Sequence, residues 1–370
     1  MSVNRFFGLL AIVFFSGCVQ QEPLVEPNRY YNTPLGNFQA FWDGMSRRYA
    51  FWGYDPTDWD KTYGQFVNQV TDETTDAELA EIFGEMVKDL IDTHYGIEAV
   101  VDGEFVSIGP QKIIERLSKY HFLLDDDYFE KTLFNRLAAN TRKKFNGFVY
   151  GVIDNKYQYV RIPEFRIFID GSQNPEFFED MLNFMANPAP QYKGLILDLR
   201  FNPGGVADEV TLVAGNFTDR ELVVGSTRYK YGNNRNEFGP WIPQKIFPSS
   251  IGYNNLPVVI LCDAFTISAA ERVTMAMSLL PQVTVLGERT IGAHGALVQE
   301  EGRDVVYAGE FFLPNGWKVQ AAVEVFRHAD NNVYEGIGFP PDVVVPFDVN
   351  LFKTTGRDNQ LEQALQKLPQ

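Results

Sequence analysis

Two short runs of this sequence place hydroxyl-bearing and small residues where backbone groups are free to act on a ligand. In Ala264-Phe265-Thr266-Ile267-Ser268-Ala269-Ala270-Glu271, a serine follows the apolar run Val258–Cys262 and opens an amphipathic stretch. A hydroxyl at a helix start gains the positive end of the helix dipole and neighbouring free N–H groups. These stabilise an attacking alkoxide and the oxyanion it creates. The same pair, Ser268 with Glu271 three residues on, is also a capping box, which needs no chemistry at all. In Leu195-Ile196-Leu197-Asp198-Leu199-Arg200-Phe201-Asn202-Pro203-Gly204-Gly205, an apolar run ends in paired glycines. Such a turn lets the backbone approach another group closely and aim N–H donors at it, although a plain strand-to-helix turn accounts for the pair equally well.

The elements that must position these runs follow from periodicity. Apolar residues recur at helical spacing in three successive stripes: Phe38, Trp42, Met45, Tyr49; Trp59, Tyr63, Phe66, Val70; and Leu79, Ile82, Phe83, Met86, Leu90, Ile91. Thr57 with Asp60 and Thr75 with Glu78 stand as capping boxes before the second and third. Between 97 and 147 the pattern is mixed, with helices expected at Gln111–Leu117 and Tyr128–Leu137. Phe148–Ile153 and Tyr157–Ile162 then read as strands joined by an Asp154-Asn155 turn. Asn174-Pro175 caps a helix through Met185, Leu195–Leu199 is a buried strand, and Val206–Ala214 returns as a helix. Val258–Cys262, the helix after Ser268 and the strand Val283–Leu286 repeat the alternation, which argues an α/β core. Val305–Leu313 and Val319–Phe326 form an expected hairpin across Pro314-Asn315-Gly316, and Leu361–Leu368 a closing helix.

Bulk properties narrow the partners. A chain of 370 residues with a formal net charge of −16 repels polyanions and carries no Lys/Arg run, so nucleic acid is not an expected partner. No H-E-x-x-H, Cys/His cluster, G-x-x-x-x-G-K or G-x-G-x-x-G occurs, so neither a metal nor a nucleotide cofactor is expected. The two cysteines, Cys18 and Cys262, offer no disulfide framework. At the N-terminus Arg5 precedes the apolar stretch Phe6–Phe15 and then Ser16-Gly17-Cys18, in the order of an export signal too short to span a bilayer. Phe15-Ser16-Gly17-Cys18 resembles the lipobox of bacterial lipoproteins, which implies lipidation of Cys18 and a membrane anchor; the alternative is an ordinary cleaved signal. No Asp follows Cys18 directly, which fits the outer membrane of a bacterial envelope. The expected organisation is a signal over 1–17, a tether over 18–30, a helical lobe over 31–96, a mixed connecting region over 97–147 and the core with its closing helix over 148–370.

Taken in order, the D-L-R-x-N-P-G-G turn ending at Gly205, the S-A-A-E run at Ser268 and the loop Gly287-Glu288-Arg289-Thr290-Ile291-Gly292 resemble the protease domain of the C-terminal-processing (tail-specific) serine protease family. The resemblance covers about Tyr157 to Pro346, and the helical lobe is also similar to that of family members. It implies a crotonase-like α/β core with an N-terminal helical lobe, and Ser268 as nucleophile. The family's PDZ module, which captures substrate C-termini, has no evident place in this chain.

One departure changes the chemistry. In the Ser–Lys branch a lysine follows the G-E-R-T-x-G loop and acts as base, whereas here the position is Ala293, followed by His294. A methyl group takes no proton, so Ser268 needs another base, and the chain holds four histidines: His94, His121, His294 and His328. Leu90-Ile91-Asp92-Thr93-His94 looks like the motif that carries the catalytic histidine in the tricorn-like branch. Glu335, in Tyr334-Glu335-Gly336-Ile337-Gly338-Phe339-Pro340-Pro341-Asp342, matches the E-G-x-G-x-x-P-D pattern where that branch has its carboxylate. The resemblance thus implies a Ser268, His94, Glu335 arrangement, with the oxyanion held by N–H groups of Gly204 or Gly205 and of Ala269. His294 is the rival base. His121 and His328 have no motif around them and read as surface residues.

Two functions follow as expectations. One is a serine-type peptidase hydrolysing exported proteins or peptides. The other, motivated by the missing lysine, is a non-catalytic lipoprotein on the same fold that binds a hydrophobic ligand or a peptide, as the retinoid-binding proteins similar to this family do.

Overall fold

The computed structural model describes residues 30–111, 126–295, 298–301 and 304–370. Cys18, His121 and most of the helix expected at Gln111–Leu117 lie outside the described residues. The three apolar stripes fold as helices α1 (Pro34–Arg48), α2 (Trp59–Phe66) and α3 (Asp76–Val87). Thr75 and Glu78 close the capping box that starts α3. α2 differs from expectation: Asp58, not Thr57, accepts the first free N–H, that of Lys61, at 3.1 Å. Asp is the better N-cap of the two, and Thr57 is already drawn into the preceding turn, where its N–H donates to Asp55 Oδ1 at 2.9 Å. Phe38, Phe41 and Phe83 meet at the centre of this lobe and are fully buried, with the Phe41 and Phe83 rings 4.1 Å apart.

The connecting region opens on a feature the periodicity did not reveal, the hairpin β1 (Gly96–Val101) and β2 (Glu104–Ile108). Helix α4 (Asp126–Arg136) follows, and then β3 (Lys143–Phe145), β4 (Phe148–Ile153) and β5 (Tyr157–Arg161). The β4–β5 turn has Asp154 and Asn155 at φ 51° and 55°, the left-handed pair that a two-residue hairpin demands. Next come α5 (Ile167–Gly171), α6 (Pro175–Ala186), β6 (Gly194–Asp198), α7 (Glu209–Ala214), β7 (Leu222–Tyr229), β8 (Ile242–Ile246), β9 (Val258–Cys262), α8 (Ala269–Met277) and β10 (Val283–Gly287).

The C-terminal third adds β11 (Val298–Glu301), β12 (Asp304–Ala308), β13 (Glu310–Phe312), β14 (Lys318–Gln320), β15 (Glu324–His328), β16 (Val343–Val344), α9 (Val349–Thr355) and α10 (Asn359–Lys367). The hairpin expected across Pro314-Asn315-Gly316 is β13–β14, shorter than anticipated. Residues 305–308 pair instead with β11, and β15 pairs with β7.

The central sheet has seven strands in the order β16-β10-β9-β6-β5-β4-β3, parallel from β5 to β16 and antiparallel at the β3–β4–β5 end. Its middle strands β9 and β6 are buried at every position and apolar save for Asp198, because both faces are covered. Along β6 and just beyond it, Leu195, Leu197 and Leu199 face one buried cluster and Ile196 the other. A second sheet, β13-β14-β1-β2, stitches the N-terminal lobe to residues far along the chain: Phe311, Trp317 and Val319 sit in the same buried cluster as Phe38 and Phe83. A third, β15-β7-β8, flanks the core.

Candidate active site

The turns that leave the carboxyl ends of β6, β9 and β10 come together, as open parallel sheets dictate for ligand sites. The D-L-R segment owes its charges to anchoring. Buried Arg200 donates to the Asp198 carboxylate and to Asp358 and Gln360 of the closing helix and its cap, and the Tyr159 hydroxyl donates to Asp198 at 2.7 Å. With β6 so pinned, Asn202 fixes the turn. Its side-chain amide donates to the Ile162 carbonyl at 2.8 Å, its Oδ1 accepts the Gly204 N–H at 2.8 Å, and its carbonyl accepts the Ile267 N–H at 2.9 Å. The last bond brings the serine turn against the glycine turn. A Cβ on Gly204 would lie 2.6 Å from the Ser268 Cβ, and one on Gly205 would lie 2.1 Å from the Phe165 carbonyl oxygen.

Ser268 has φ 55° and ψ −117°, a backbone conformation that residues other than glycine rarely take. Such strain costs on the order of 1–3 kcal/mol and persists where the surroundings over-determine it, characteristically at sites of chemistry. No sequence pattern disclosed it. Of the two turn glycines expected as alternative oxyanion donors beside Ala269, Gly204 has its N–H turned inward to Asn202, which favours Gly205.

Ser268, Ala269, Gly205, His94 and His294 line one cleft of about 430 Å³. His94 reaches it from the loop after α3. Its backbone N–H donates to Asp92 Oδ1 at 2.8 Å, Asp92 Oδ2 accepts the Ala322 N–H at 2.8 Å, and the Thr93 hydroxyl donates to the Gly292 carbonyl at 3.2 Å. The loop is thereby fastened to two separate parts of the core. The His94 Nδ1 is sealed from solvent without a hydrogen-bond partner. One donor atom each from Asp92, His94 and Glu335 lies within 4.8 Å of the others. Glu335 is buried; its Oε2 accepts the N–H groups of His294 at 2.7 Å and Gly295 at 2.9 Å, while Oε1 has no partner.

Burial dominates the electrostatics. It lowers His94 to about 4, helped by the Arg272 guanidinium, and lowers His294 still more clearly from the usual histidine range, with Arg272 and His94 adding to the effect. It raises Asp92 to about 6 and pushes Glu335 well above the usual carboxylate range, where Asp92 adds repulsion. Glu271, fully buried, rises to about 7 although its oxygens accept the N–H groups of Gly292, Ala293 and Ser268. His294, 4% exposed, has both ring nitrogens buried without partners, and Nδ1 lies 3.6 Å from Glu271. Ala293 is fully buried at the position where the resemblance expects a lysine.

His328 corrects the sequence reading. It is buried, with Nε2 3.2 Å from the Met275 carbonyl and its ring packed on Tyr334 and Phe339, a core histidine rather than a surface one. Asp92 is the residue that sequence reasoning passed over. Its signal was a carboxylate two positions before His94, directly after the apolar stripe that ends at Ile91. As for metals, Asp92, His94 and Glu335 are the one group of potential ligands found among the described residues.

Comparison with known proteins agrees with this architecture. The model of peptidase family S41 matches residues 156–345, just over half of the chain and the stretch in which the three motifs fall. A carboxy-terminal-processing protease of Bartonella bacilliformis is 27% identical over 164 residues, covering 43% of this chain and 32% of its own. A carboxyl-terminal-processing protease of Picosynechococcus sp. is 27% identical over 222 residues, covering 58% of this chain and 46% of its own. The matches therefore span less than half the length of these relatives. Among solved structures, a candidate peptidase of Parabacteroides merdae is 26% identical with a TM-score of 0.72, covering 90% of this chain and 96% of that one. Mature CPAF complexed with lactacystin, 13% identical, shares the fold with a TM-score of 0.63, covering 90% and 97% of the two chains. The chain belongs to peptidase family S41.

Proposed function

We propose that this chain is a serine-type peptidase acting on exported polypeptides, with Ser268 as nucleophile, His94 as base and Glu335 as the carboxylate behind it. The observation that carries the reading is the strained Ser268, held beside the glycine turn in the same cleft as His94. His94, lowered to about 4, is neutral at pH 7 and free to accept the hydroxyl proton on Nε2. Nδ1, sealed from solvent without a partner, is left to donate to the buried carboxyl pair, where Glu335 Oε1 also lacks one. As the imidazolium forms, its charge is offset by Asp92, whose carboxyl at about 6 is ionised at pH 7. Glu335, held neutral by burial and by Asp92, serves as a hydrogen-bond acceptor that keeps the ring in the productive tautomer. The alkoxide attacks the scissile carbonyl, and N–H groups of Gly205 and Ala269 hold the oxyanion, each worth roughly 3 kcal/mol of barrier in comparable sites. Imidazolium returns the proton to the leaving amine, and water repeats the cycle on the acyl-enzyme.

Export and a lipid anchor at Cys18, on the outer membrane of a bacterial envelope, belong to the same proposal and rest on the N-terminal sequence alone. No described helix is long and apolar enough to cross a membrane. The binding-protein alternative has Ala293 in its favour, but a pure carrier gives no reason to hold Ser268 in a strained conformation. The test is covalent labelling by a fluorophosphonate: wild type labels and Ser268→Ala does not. Folded wild-type protein that resists labelling overturns the peptidase in favour of the carrier.

A further inference from the structure

The cleft that holds Ser268 is walled by Val210, Val224, Ile246 and Phe326, three of them at most 7% exposed. One full charge pair stands in this apolar wall. Arg272, one helical turn beyond Ser268, donates through Nη2 to Glu324 Oε1 at 2.7 Å and to the His294 carbonyl at 2.6 Å, and its guanidinium lies 3.6 Å from the centre of the Phe326 ring. The two side chains are 19% and 6% exposed, so the attraction is little screened and neither charge is solvated alone. The other cation of the wall, Lys245, is paired with Glu221 at 2.7 Å, and the exposed Asp208 adds a negative rim.

We propose that Glu324 is a specificity-determining residue: by neutralising Arg272 it makes the cleft beside Ser268 select an uncharged, apolar substrate side chain and reject an acidic one. The inference rests on the peptidase reading of the site. A carboxylate entering the wild-type cleft meets a guanidinium already engaged and two acidic groups, Glu324 and Asp208, while an apolar side chain finds aliphatic and aromatic walls. Removing the Glu324 charge leaves Arg272 half-buried without its counter-charge, which an incoming carboxylate then supplies.

Peptide aldehydes fix the register, because the aldehyde carbon adds to the nucleophile and its own side chain occupies the adjoining pocket. Protection against fluorophosphonate labelling is measured for otherwise identical aldehydes ending in Leu or Asp. In wild type the Leu aldehyde protects at least about 100-fold better than the Asp aldehyde; in Glu324→Gln that ratio narrows at least about tenfold. Arg272→Met/Glu324→Leu, which removes both charges together, keeps the wild-type preference and serves if the single variant does not fold. A ratio unmoved by Glu324→Gln in labelling-competent protein overturns this inference alone, as does a wild type that favours the Asp aldehyde. Absence of labelling in folded wild type overturns the peptidase reading and this inference with it.

Discussion

A methyl group on Gly204 would stand 2.6 Å from the Cβ of Ser268, closer than two carbon atoms approach without displacement. Gly204 also has φ +98°, outside the range of ordinary side chains. Gly204→Ala is therefore expected to destabilise the fold by about 2 kcal/mol or more and to slow fluorophosphonate labelling at least tenfold. Denaturant melts and labelling rates measure both. A variant with wild-type stability and rate would show that the two turns are not packed in this way.

Strain at the serine makes an opposite prediction. Ser268→Gly should raise stability by about 1 kcal/mol while removing all labelling, because glycine adopts φ 55°, ψ −117° without penalty. Ser268→Ala removes labelling but leaves the strain, so it gains nothing. Thermal unfolding of the two variants side by side checks this, and a glycine variant less stable than the alanine one contradicts it.

Why the serine turn was legible in the sequence and its strain was not is a matter of range. The strand before Ser268 and the helix after it follow from local apolar spacing, as do the helices of the lobe and the β4–β5 hairpin. The conformation of Ser268 is imposed by Asn202, whose bonds to Gly204 and Ile267 join segments about sixty residues apart. Glu271 shows the same limit. Its place as a capping partner was visible, but its larger contribution, accepting the N–H groups of Gly292 and Ala293, depends on a loop twenty residues downstream. The β1–β2 hairpin did carry a local signal, the Asp102-Gly103 turn with φ 51° and 84°, but helical and strand periodicity alone does not display it. The second partner of β1, β14, lies far along the chain. His328 has no motif because its burial comes from Tyr334, Phe339 and Met275.

The two histidines of the cleft separate by variant and by pH. With His94 as base, His94→Ala slows labelling by at least about 10³-fold. His294→Ala acts more weakly, because that residue's backbone N–H, which binds Glu335, survives the substitution. The wild-type labelling rate needs neutral His94. Its acid limb should therefore fall near pH 4 rather than near 6.5, since burial, with Arg272, lowers the imidazole to about 4. An acid limb near 6.5, or equal losses in the two variants, removes His94 from the role.

Glu271 couples this architecture to pH. Its carboxyl is fully buried and raised from 4.5 to about 7, burial outweighing the hydrogen bonds it accepts. A group that holds its proton more tightly when folded contributes stability that is fully present below about pH 4.5 and is lost as pH rises through about 7, because the folded state binds more protons across that window. The shift corresponds to roughly 3 kcal/mol. Glu271→Gln cannot ionise, so it escapes this loss, although its amide meets three N–H donors where the carboxylate accepted them all and the variant starts from a lower stability. The predicted quantity is therefore the slope: the stability of Glu271→Gln relative to wild type should rise with pH between 4.5 and 7 and level off above. Urea melts at half-unit pH intervals measure it. A difference that is flat, or that falls with pH, would mean that the buried carboxylate is already ionised in the folded protein at acid pH, and that the backbone donors of the 292–293 loop outweigh its burial.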